Sequence, residues 1–416
     1  MPNNVDIVRY LHVSTIENWS KISNWYSDLV RSQKIVNAEV ESAYNSIFPK
    51  GIMGLSQEER AKKIYYYIMN NFNYSSVSFR QSGFIPQKPS KTISTKLGDC
   101  KDFSTLFVTL AEKAGLDTNL VLILTNDYGQ KSTILPSQDF NHCIVKVMID
   151  DKGHYLELTN KNLPFKSLPT SLINATALEI PNKTEKDKNN NIFKLPESVD
   201  NPSTIESKAT IHFVDNKIKL DVNTKISGAA SSYYVGLFEN PNYENIKKDL
   251  QKDFKNNLNS NIVIDTIQNI NAKRGLSSIS YTSKILIDDE NKTIGSIIVF
   301  QLPILSVVFE NSIINLQKRS FPIEFTQYEN INNYNTSYNI KLPEGKNFVE
   351  IPESIAYNFK SHSYAITYKV ISDHELKVDI KAITDIKNNI STEDYEEFKL
   401  YVSNIIKAKE AFIGFK

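Results

Sequence analysis

The apolar positions between residues 94 and 115 recur at the spacing of one face of a buried α-helix. They are Phe103, Leu106, Phe107, Leu110, Ala111 and Ala114. Asp99 stands where helices favour an N-cap, and Gly115 stands where they favour a glycine after the last turn. The pattern therefore predicts a buried helix whose first turn contains Cys100.

Periodic segments before this helix predict further elements. Residues 14–17 (Ser-Thr-Ile-Glu) and 56–59 (Ser-Gln-Glu-Glu) have the form of capping boxes, and each precedes apolar residues at helical spacing. We therefore predict an amphipathic helix after each box and a short helix around Glu39–Ile47 between them. A strand is predicted at Ile7–Val13. The two capped helices are expected to pack on the helix of Cys100.

Strands are predicted after the helix of Cys100. Residues 120–125 form one apolar run, and residues 142–149 and 155–159 flank an Asp-Asp-Lys-Gly turn, which indicates an antiparallel hairpin. Residues 73–97 and 126–141 lack a periodic pattern and are predicted as loops.

The hairpin matters because it carries His142 near its start and Glu157 near its end. Side chains alternate between the two faces of a strand. If the turn has an even number of residues, His142 and Glu157 lie on the same face. Cys143 then points to the opposite face and is expected to be a packing residue.

The second half of the chain has a different pattern of apolar and polar positions. From Ile205 onward, alternating apolar and polar positions predict many antiparallel strands, with an amphipathic helix near residues 246–258 and another near the end. Together the patterns predict an α+β protein: a core domain over residues 1–180, a polar linker over 181–204, and a β-sandwich-like region of one or two modules over 205–416.

Composition excludes several classes of function. The formal net charge is +1 and there are two cysteines, so neither a nucleic-acid partner nor a disulfide scaffold is expected. The longest apolar stretch, residues 294–309, is broken by Gln301 and Pro303, and no transmembrane segment or signal peptide is expected. Because metal-ligand spacings and phosphate-binding loops are missing from the sequence, no metal or cofactor is expected.

The candidate chemistry centres on Cys100. Unpaired N–H groups and the positive end of a helix dipole favour the thiolate, which is the nucleophilic form of cysteine. A histidine at the head of a following strand and a carboxylate on the next complete the parts that cysteine-based acyl transfer needs. In that chemistry Cys100 attacks a carbonyl, His142 moves the proton, and Glu157 orients the imidazole.

These motifs resemble a known family. Gly-Asp-Cys-Lys-Asp before an amphipathic helix, Asn-His-Cys-Ile-Val-Lys-Val at 141–147 and Tyr-Leu-Glu-Leu-Thr at 155–159 look like the transglutaminase-like, papain-like core. Residues 8–169 resemble this segment in large bacterial envelope proteins, and residues 341–352 and 393–413 are similar to their C-terminal β-sandwich domain. The resemblance implies a helical lobe plus an antiparallel sheet, a periplasmic or envelope location, and a truncated member of that group.

The resemblance also implies roles for individual residues. Cys100 matches the nucleophile, His142 the general base, and Glu157 the position of the orienting acid. The family pattern there is Leu-Asp-Pro-Thr, whereas this chain has Leu-Glu-Leu-Thr. The extra methylene moves the carboxylate, and a shift of about 1 Å can cost on the order of a hundredfold in rate. Independently of the resemblance, Gln81 and Gln87 lie on the preceding loop and either amide could donate to an oxyanion; Gln81 is the expected second oxyanion donor beside the Cys100 backbone N–H.

Two functions follow from these residues. The first is cysteine-dependent acyl transfer on protein or peptide amides through a thioester, as a thiol protease, an amidase or a transglutaminating acyltransferase. Hydrolysis and transfer both remain open because water or an amine can reach a thioester. The alternative is a catalytically silent transglutaminase-like protein that binds or builds structure in the cell envelope. Cys100 and His142 favour the enzyme, whereas the departure at Glu157 favours the alternative.

Overall fold

The protein is described by a computed structural model that covers residues 3–75, 83–182, 189–196, 201–214, 217–257, 261–288, 292–305, 309, 311–327 and 330–416. The chain divides into two compact units, residues 2–201 (the first unit) and residues 202–416 (the second unit). The division falls inside the segment 181–204 that the sequence predicts as a linker, and the domain bounds themselves stay a prediction.

The first unit combines helices with an antiparallel sheet. Its helices are α1 (Asn4–Ile7), α2 (Trp19–Gln33), α3 (Ala38–Ile47), α4 (Gln57–Asn71), α5 (Pro89–Thr95) and α6 (Cys100–Lys113). Its strands are β1 (Asn73–Tyr74), β2 (Leu97–Gly98), β3 (Thr118–Leu124), β4 (His142–Ile149), β5 (Lys152–Leu156), β6 (Thr176–Ile180) and β7 (Phe193–Lys194). A five-stranded sheet has the order β5-β4-β3-β6-β7, and β1 pairs with β2 in a separate parallel ladder.

The core of the first unit lies between the helices and one face of the sheet. α6 packs on β3, β4 and α4, and 12 of its residues are buried, so this helix is the central element of the unit. The opposite face of the sheet is covered by apolar residues that follow β5 and flank β6. The predicted helical lobe and antiparallel sheet are therefore confirmed.

Several predicted elements before Cys100 are wrong. Residues 8–13 form no strand, and the chain instead opens with α1, where the Asn3 side chain accepts a hydrogen bond from the Val5 N–H at 3.0 Å. α2 begins at Trp19 behind the cap Asn18. The Ser14 hydroxyl caps no helix and donates instead to the Pro136 carbonyl at 2.6 Å, so a tertiary contact replaces the expected capping box.

The segment 73–97 is also more ordered than predicted. Within its described residues it contains α5, with a proline at the first helical position, and the two strands of the parallel ladder. By contrast, the capping box of α4 is present as predicted, since Ser56 and Glu59 exchange hydrogen bonds at its start.

The second unit is rich in strands. Its strands are β8 (Thr204–Val214), β9 (Lys217–Ser227), β10 (Asn261–Asn271), β11 (Ser278–Asp288), β12 (Lys292–Ile294), β13 (Ile297–Gln301), β14 (Asn333–Lys341), β15 (Phe348–Glu350), β16 (Ile355–Phe359), β17 (His362–Ser372), β18 (Glu375–Ile383) and β19 (Phe412–Phe415). Its helices are α7 (Ser231–Phe238), α8 (Tyr243–Asn257) and α9 (Tyr395–Lys409). Leu258, predicted as part of the internal helix, lies outside the described residues.

The strands of the second unit form two sheets. An eight-stranded sheet has the order β10-β11-β9-β8-β14-β18-β17-β16, and a four-stranded sheet has the order β12-β13-β19-β15. The strand-rich C-terminal region is confirmed, although β8 and β14 pair in parallel where the sequence predicts antiparallel strands only. None of the helices in the described part of the chain is both long enough and apolar enough to cross a lipid bilayer.

Candidate active site

Reciprocal capping hydrogen bonds fix the backbone around Cys100 at the start of α6. The Asp99 carboxylate accepts hydrogen bonds from the Lys101 N–H at 3.1 Å and the Asp102 N–H at 3.2 Å. In return, the Asp102 carboxylate accepts one from the Asp99 N–H at 3.0 Å. Lys101 is buried, and its ammonium group pairs with the Asp99 carboxylate.

This network leaves the Cys100 N–H without a protein acceptor. The N–H groups of the next two residues bond to the Asp99 side chain, and the Phe103 N–H bonds to the Asp99 carbonyl at 3.0 Å. Among the described residues, no acceptor lies within hydrogen-bonding distance of the Cys100 N–H. An N–H at a helix start is suited to bind an anion, because the helix dipole is positive there.

The far end of α6 is closed as the sequence predicts. Gly115 adopts φ +70°, a left-handed conformation that residues with a side chain rarely adopt. Its N–H bonds to the Glu112 carbonyl and the Leu116 N–H bonds to the Ala111 carbonyl, each at 2.9 Å. This pair of bonds is a Schellman motif, which ends the helix and turns the chain toward β3.

The hairpin β4–β5 brings His142 and Glu157 together. Its two-residue turn, Asp150 and Asp151, has positive φ at both positions, as a type I′ turn requires. The register pairs Val145 with Leu156, which places Glu157, the first residue after β5, on the same face as His142. Their side chains meet, with His142 Nε2 at 2.5 Å from Glu157 Oε2.

The second oxygen of Glu157 is held as well. Glu157 Oε1 accepts hydrogen bonds from both the backbone N–H and the hydroxyl of Thr159, each at 2.6 Å. The Glu157 side chain is 3% exposed. Because both carboxylate oxygens are bonded, the carboxylate has one orientation, and the longer glutamate still reaches the imidazole.

Cys100 lies close enough to His142 to help raise the pKa of the imidazole. Since Nε2 faces Glu157, the remaining ring nitrogen, Nδ1, is the one left for the thiol. Cys100 is 7% exposed. The structure therefore brings Cys100, His142 and Glu157 into one connected chain of side chains, drawn from the start of a helix, the start of a strand and the end of the next strand.

Electrostatics favour the charged forms of His142 and Glu157. Burial lowers the pKa of His142, but the Glu157 charge and the hydrogen bonds to Cys100 and Glu157 outweigh it and raise that pKa well above its usual value. Burial raises the pKa of Glu157, but the charge of His142 and the hydrogen bonds to His142 and Thr159 outweigh burial and hold that pKa below its usual value. Both shifts favour an imidazolium paired with a carboxylate.

Cys143 lies on the face of β4 opposite to His142. It is 2% exposed. Burial, and then the negative charge of Cys100, raise the pKa of its thiol well above the usual value. Cys143 is thus a neutral packing residue, and the two cysteines differ in chemistry although they lie in the same core.

The predicted oxyanion donor is not placed by the structure, because Gln81 lies outside the described residues. The neighbouring candidate Gln87 is already engaged. Its N–H and its side-chain amide donate to the two oxygens of the Asp102 carboxylate, at 2.7 and 2.8 Å. Gln87 therefore ties the preceding segment to α6.

Sequence reasoning overlooked three residues of the site. Asp102 belongs to the Gly-Asp-Cys-Lys-Asp motif, and its position three residues after the cap was the available signal for its capping role. Thr159 stands two residues after Glu157, a spacing at which side-chain-to-backbone bonds are common. Tyr74 lies on the short ladder beside α6, and the sequence carries no periodic signal for it.

The described residues contain no group of three or more His, Cys, Asp or Glu side chains that could hold a metal ion. The candidate site offers the chemistry of a thiol, an imidazole and a carboxylate. The helix-start cysteine followed by an antiparallel sheet defines a general cysteine-protease-like fold.

Comparison with known proteins identifies the family of this core. Residues 51–158 match the model of the transglutaminase-like superfamily, and this segment is a transglutaminase-like superfamily domain. The match includes Cys100, His142 and Glu157. No curated protein matches the sequence.

A solved structure from Parabacteroides distasonis, described as a "putative protease", is similar with a TM-score of 0.47 and 10% sequence identity. The similarity covers 95% of this chain and 58% of that one. This chain thus spans little more than half the length of that protein.

Proposed function

We propose that the protein catalyses acyl transfer from a protein or peptide amide through a thioester on Cys100. The observation that carries the proposal is the position of His142, which contacts the fixed carboxylate of Glu157 and whose pKa is raised by that carboxylate and by the nearby Cys100. An imidazole held between a thiol and a carboxylate is the arrangement that activates a cysteine nucleophile.

The first half of the proposed reaction forms the thioester. The Cys100 thiolate attacks the carbonyl carbon of the amide, and the π electron pair of the carbonyl moves to its oxygen. When this oxyanion collapses, the C–N bond breaks and the leaving amine takes the proton held by His142. Glu157 keeps its charge throughout and stabilises the imidazolium that exists before this transfer.

The oxyanion needs hydrogen-bond donors at the place where its charge develops. The Cys100 N–H fits this role because it lies at the positive end of α6 and has no acceptor among the described residues. Removing one such donor typically costs on the order of 10²- to 10³-fold in rate.

The second half of the reaction releases the acyl group. Water or an amine attacks the thioester carbonyl, His142 accepts the proton of the attacking group, and the C–S bond breaks to return the thiolate. Attack by water gives hydrolysis, and attack by an amine gives transamidation. Both outcomes use the same residues of this chain.

The alternative, a catalytically silent domain, derives from the glutamate that stands where the family pattern has aspartate. The Glu157–His142 distance of 2.5 Å favours the enzyme over this alternative, because the longer side chain reaches the imidazole. The two bonds from Thr159 add to this support, since a carboxylate with a fixed orientation can fix the imidazole in turn.

The pH dependence of Cys100 alkylation by iodoacetamide tests the proposal, with peptide mapping to locate the label. We expect Cys100 to react well below about pH 8.5, the pKa of an unperturbed thiol. The buried Cys143 should stay unlabelled and serves as an internal control. A Cys100 that titrates as an ordinary thiol would contradict the proposal and favour a silent domain.

A second measurement separates hydrolysis from transfer. The chain is acylated with p-nitrophenyl acetate and then treated with a primary amine, and the products are identified by mass spectrometry. The Cys100→Ala variant provides the background. Formation of the N-acetyl amine in proportion to its concentration indicates transfer, whereas acetate as the only product indicates hydrolysis.

For location, we propose the bacterial periplasm or cell envelope, supported by the resemblance of residues 341–352 and 393–413 to the C-terminal domain of envelope proteins. Fractionation of the source cells followed by immunoblotting tests this. Recovery of the protein with cytoplasmic markers would contradict it.

A further inference from the structure

Tyr74 lies beside the start of α6 although it is 26 residues earlier in the chain. In the parallel ladder of β1 and β2, Tyr74 pairs with Gly98, two residues before Cys100. The ladder is held by hydrogen bonds from the Asn73 N–H to the Lys96 carbonyl and from the Ser75 N–H to the Gly98 carbonyl, each at 2.9 Å. The backbone of Tyr74 is thus fixed relative to the helix start.

The ring of Tyr74 lies on the side of the ladder that faces α6. It makes an edge contact with the Phe103 ring, with ring centroids 6.4 Å apart. A Cβ atom built at Gly98 would lie 2.9 Å from both Phe103 Cε1 and Asp102 Cβ. Paired residues of a ladder point to the same face, so Gly98 and Tyr74 both face the first turn of α6, and the missing side chain at Gly98 permits this close packing.

The charges around Tyr74 come from both sides of the candidate active site. Burial, followed by the negative charges of Cys100, Asp99 and Glu157, raises the pKa of Tyr74 to about 12. Cys100 belongs to α6 and Glu157 lies just after β5 of the hairpin, so Tyr74 lies within electrostatic reach of both elements. At neutral pH the phenol keeps its proton and is a hydrogen-bond donor.

The donor is also available to a ligand. Tyr74 is 47% exposed, and its hydroxyl has no hydrogen-bond partner among the described residues. The side-chain amide of Gln87, which lies on the same segment before α6, donates to Asp102 instead. Tyr74 thus combines a fixed position, a retained proton and a free hydroxyl at the edge of the site.

We propose that Tyr74 is a catalytic residue whose hydroxyl donates a hydrogen bond to the carbonyl oxygen of the group that reacts with Cys100, together with the Cys100 N–H. This inference rests on the proposed function. Tyr74 transfers no proton: it stabilises the oxygen while that oxygen carries negative charge, and the bond weakens when the oxyanion collapses and the C=O double bond is restored.

Two reactions of Cys100 distinguish this role. Alkylation by iodoacetamide proceeds by displacement of iodide and forms no oxyanion at the attacked carbon. Acylation by p-nitrophenyl acetate passes through a tetrahedral oxyanion. A donor that acts on the oxyanion should therefore affect acylation and leave alkylation unchanged.

We expect Tyr74→Phe to slow acylation of Cys100 on the order of a hundredfold and to leave the rate and pH profile of alkylation as in the wild type. Tyr155→Phe is the matched control. The pKa of Tyr155 is also raised to about 12, but by burial and the charge of Glu179, away from Cys100. This variant should behave as the wild type in both reactions.

Other outcomes would overturn the inference. Unchanged acylation in Tyr74→Phe means that the hydroxyl does not reach the oxyanion, and equal losses in both reactions mean that Tyr74 acts on the thiolate or on the fold. If the wild-type thiol has ordinary reactivity in alkylation, the proposed function itself fails. If the wild-type thiol shows enhanced reactivity in alkylation but Tyr74→Phe is acylated at the wild-type rate, only the role of Tyr74 fails.

Discussion

Each of the two units has a histidine at the first residue of a strand, half-buried in the first unit and buried in the second, and the two histidines differ in their partners and in the direction of their pKa shift. His142 begins β4 in the first unit and His362 begins β17 in the second. His142 contacts the carboxylate of Glu157. The Nδ1 atom of His362 instead accepts a hydrogen bond from the Asp385 N–H at 3.1 Å.

The surroundings of His362 are aromatic. Rings with centroids within 6.3 Å of the His362 ring belong to Phe309, Phe325, Phe359 and Phe398. Burial among them lowers the pKa of His362 to about 4, and the charge of Asp385 offsets this only in part. Burial therefore makes a histidine neutral and structural unless a bonded carboxylate compensates, as Glu157 does for His142.

The largest expected effect comes from His142→Ala. We expect acylation of Cys100 to fall on the order of 10²- to 10⁴-fold, the range typical of a lost general base. The pH profile of iodoacetamide alkylation should move to that of an ordinary thiol. If this variant reacts as the wild type does, His142 has no part in the reactivity of Cys100 and does not differ from His362 in function.

Glu157→Asp should have the next largest effect, although aspartate is the residue of the family pattern. In this backbone the glutamate reaches His142, so the shorter side chain leaves the imidazole without its partner. We expect a loss of acylation on the order of a hundredfold. Acylation at the wild-type rate would show that the backbone adapts and that the reach of Glu157 is not what matters.

Glu157→Gln sharpens the electrostatic part of the comparison. Without the carboxylate charge, only Cys100 opposes the effect of burial, so the pKa of His142 should fall toward the lowered value seen for His362. NMR titration of the two imidazole rings measures this directly. An unchanged pKa of His142 in this variant would contradict the role assigned to Glu157.

His362→Phe should change stability and leave the chemistry intact. The aromatic surroundings accommodate the ring, but the Asp385 N–H loses its acceptor, which costs about 1–3 kcal/mol of unfolding free energy for the second unit. Chemical denaturation measures the loss, and alkylation of Cys100 serves as the control. A change in Cys100 reactivity would mean that the two units are not independent.

The smallest effect is the pH dependence of stability. Because the pKa of Glu157 is lowered in the folded chain, its contribution to folding stability is complete above about pH 4.3. This contribution is lost as the pH falls through the lowered pKa. The raised pKa of His142 stabilises the folded chain below about pH 6.5 and loses this effect as the pH rises through the raised value. Denaturation of the wild type and Glu157→Gln should therefore differ most between about pH 4.3 and 6.5.

In the second unit, the contribution of His362 to folding stability depends on pH in the opposite direction to that of His142. Because its folded pKa is lowered, its contribution to stability is complete above about pH 6.5 and is lost as the pH falls toward about 4. The wild type should show this loss and His362→Phe should not. Parallel pH dependence in the two chains would contradict the assignment.

Much of the candidate site could be predicted because its signals are local. The cap at Asp99 and the apolar spacing after it indicate the helix of Cys100, and the turn at Asp150 and Asp151 indicates the hairpin. Both depend on interactions within a few residues of the chain, so periodicity and turn chemistry were sufficient to predict them.

Other parts of the first unit could not be predicted in this way. Ser14 has the sequence pattern of a cap, but its hydroxyl bonds to a carbonyl 122 residues away. The ladder of β1 and β2 has two residues in each strand, too few to show a pattern. Tyr74 reaches the site only through this ladder.

The sequence by itself determined the strongly periodic elements and the residue types needed for thiol chemistry, because caps and apolar spacing are short-range effects, whereas the shared face of His142 and Glu157 also needed the register of the hairpin. Only the tertiary structure decided that Glu157 reaches the imidazole, that the Gln87 amide is occupied by Asp102, and that Tyr74 faces the start of α6. These are distances between segments far apart in the chain, and packing sets them.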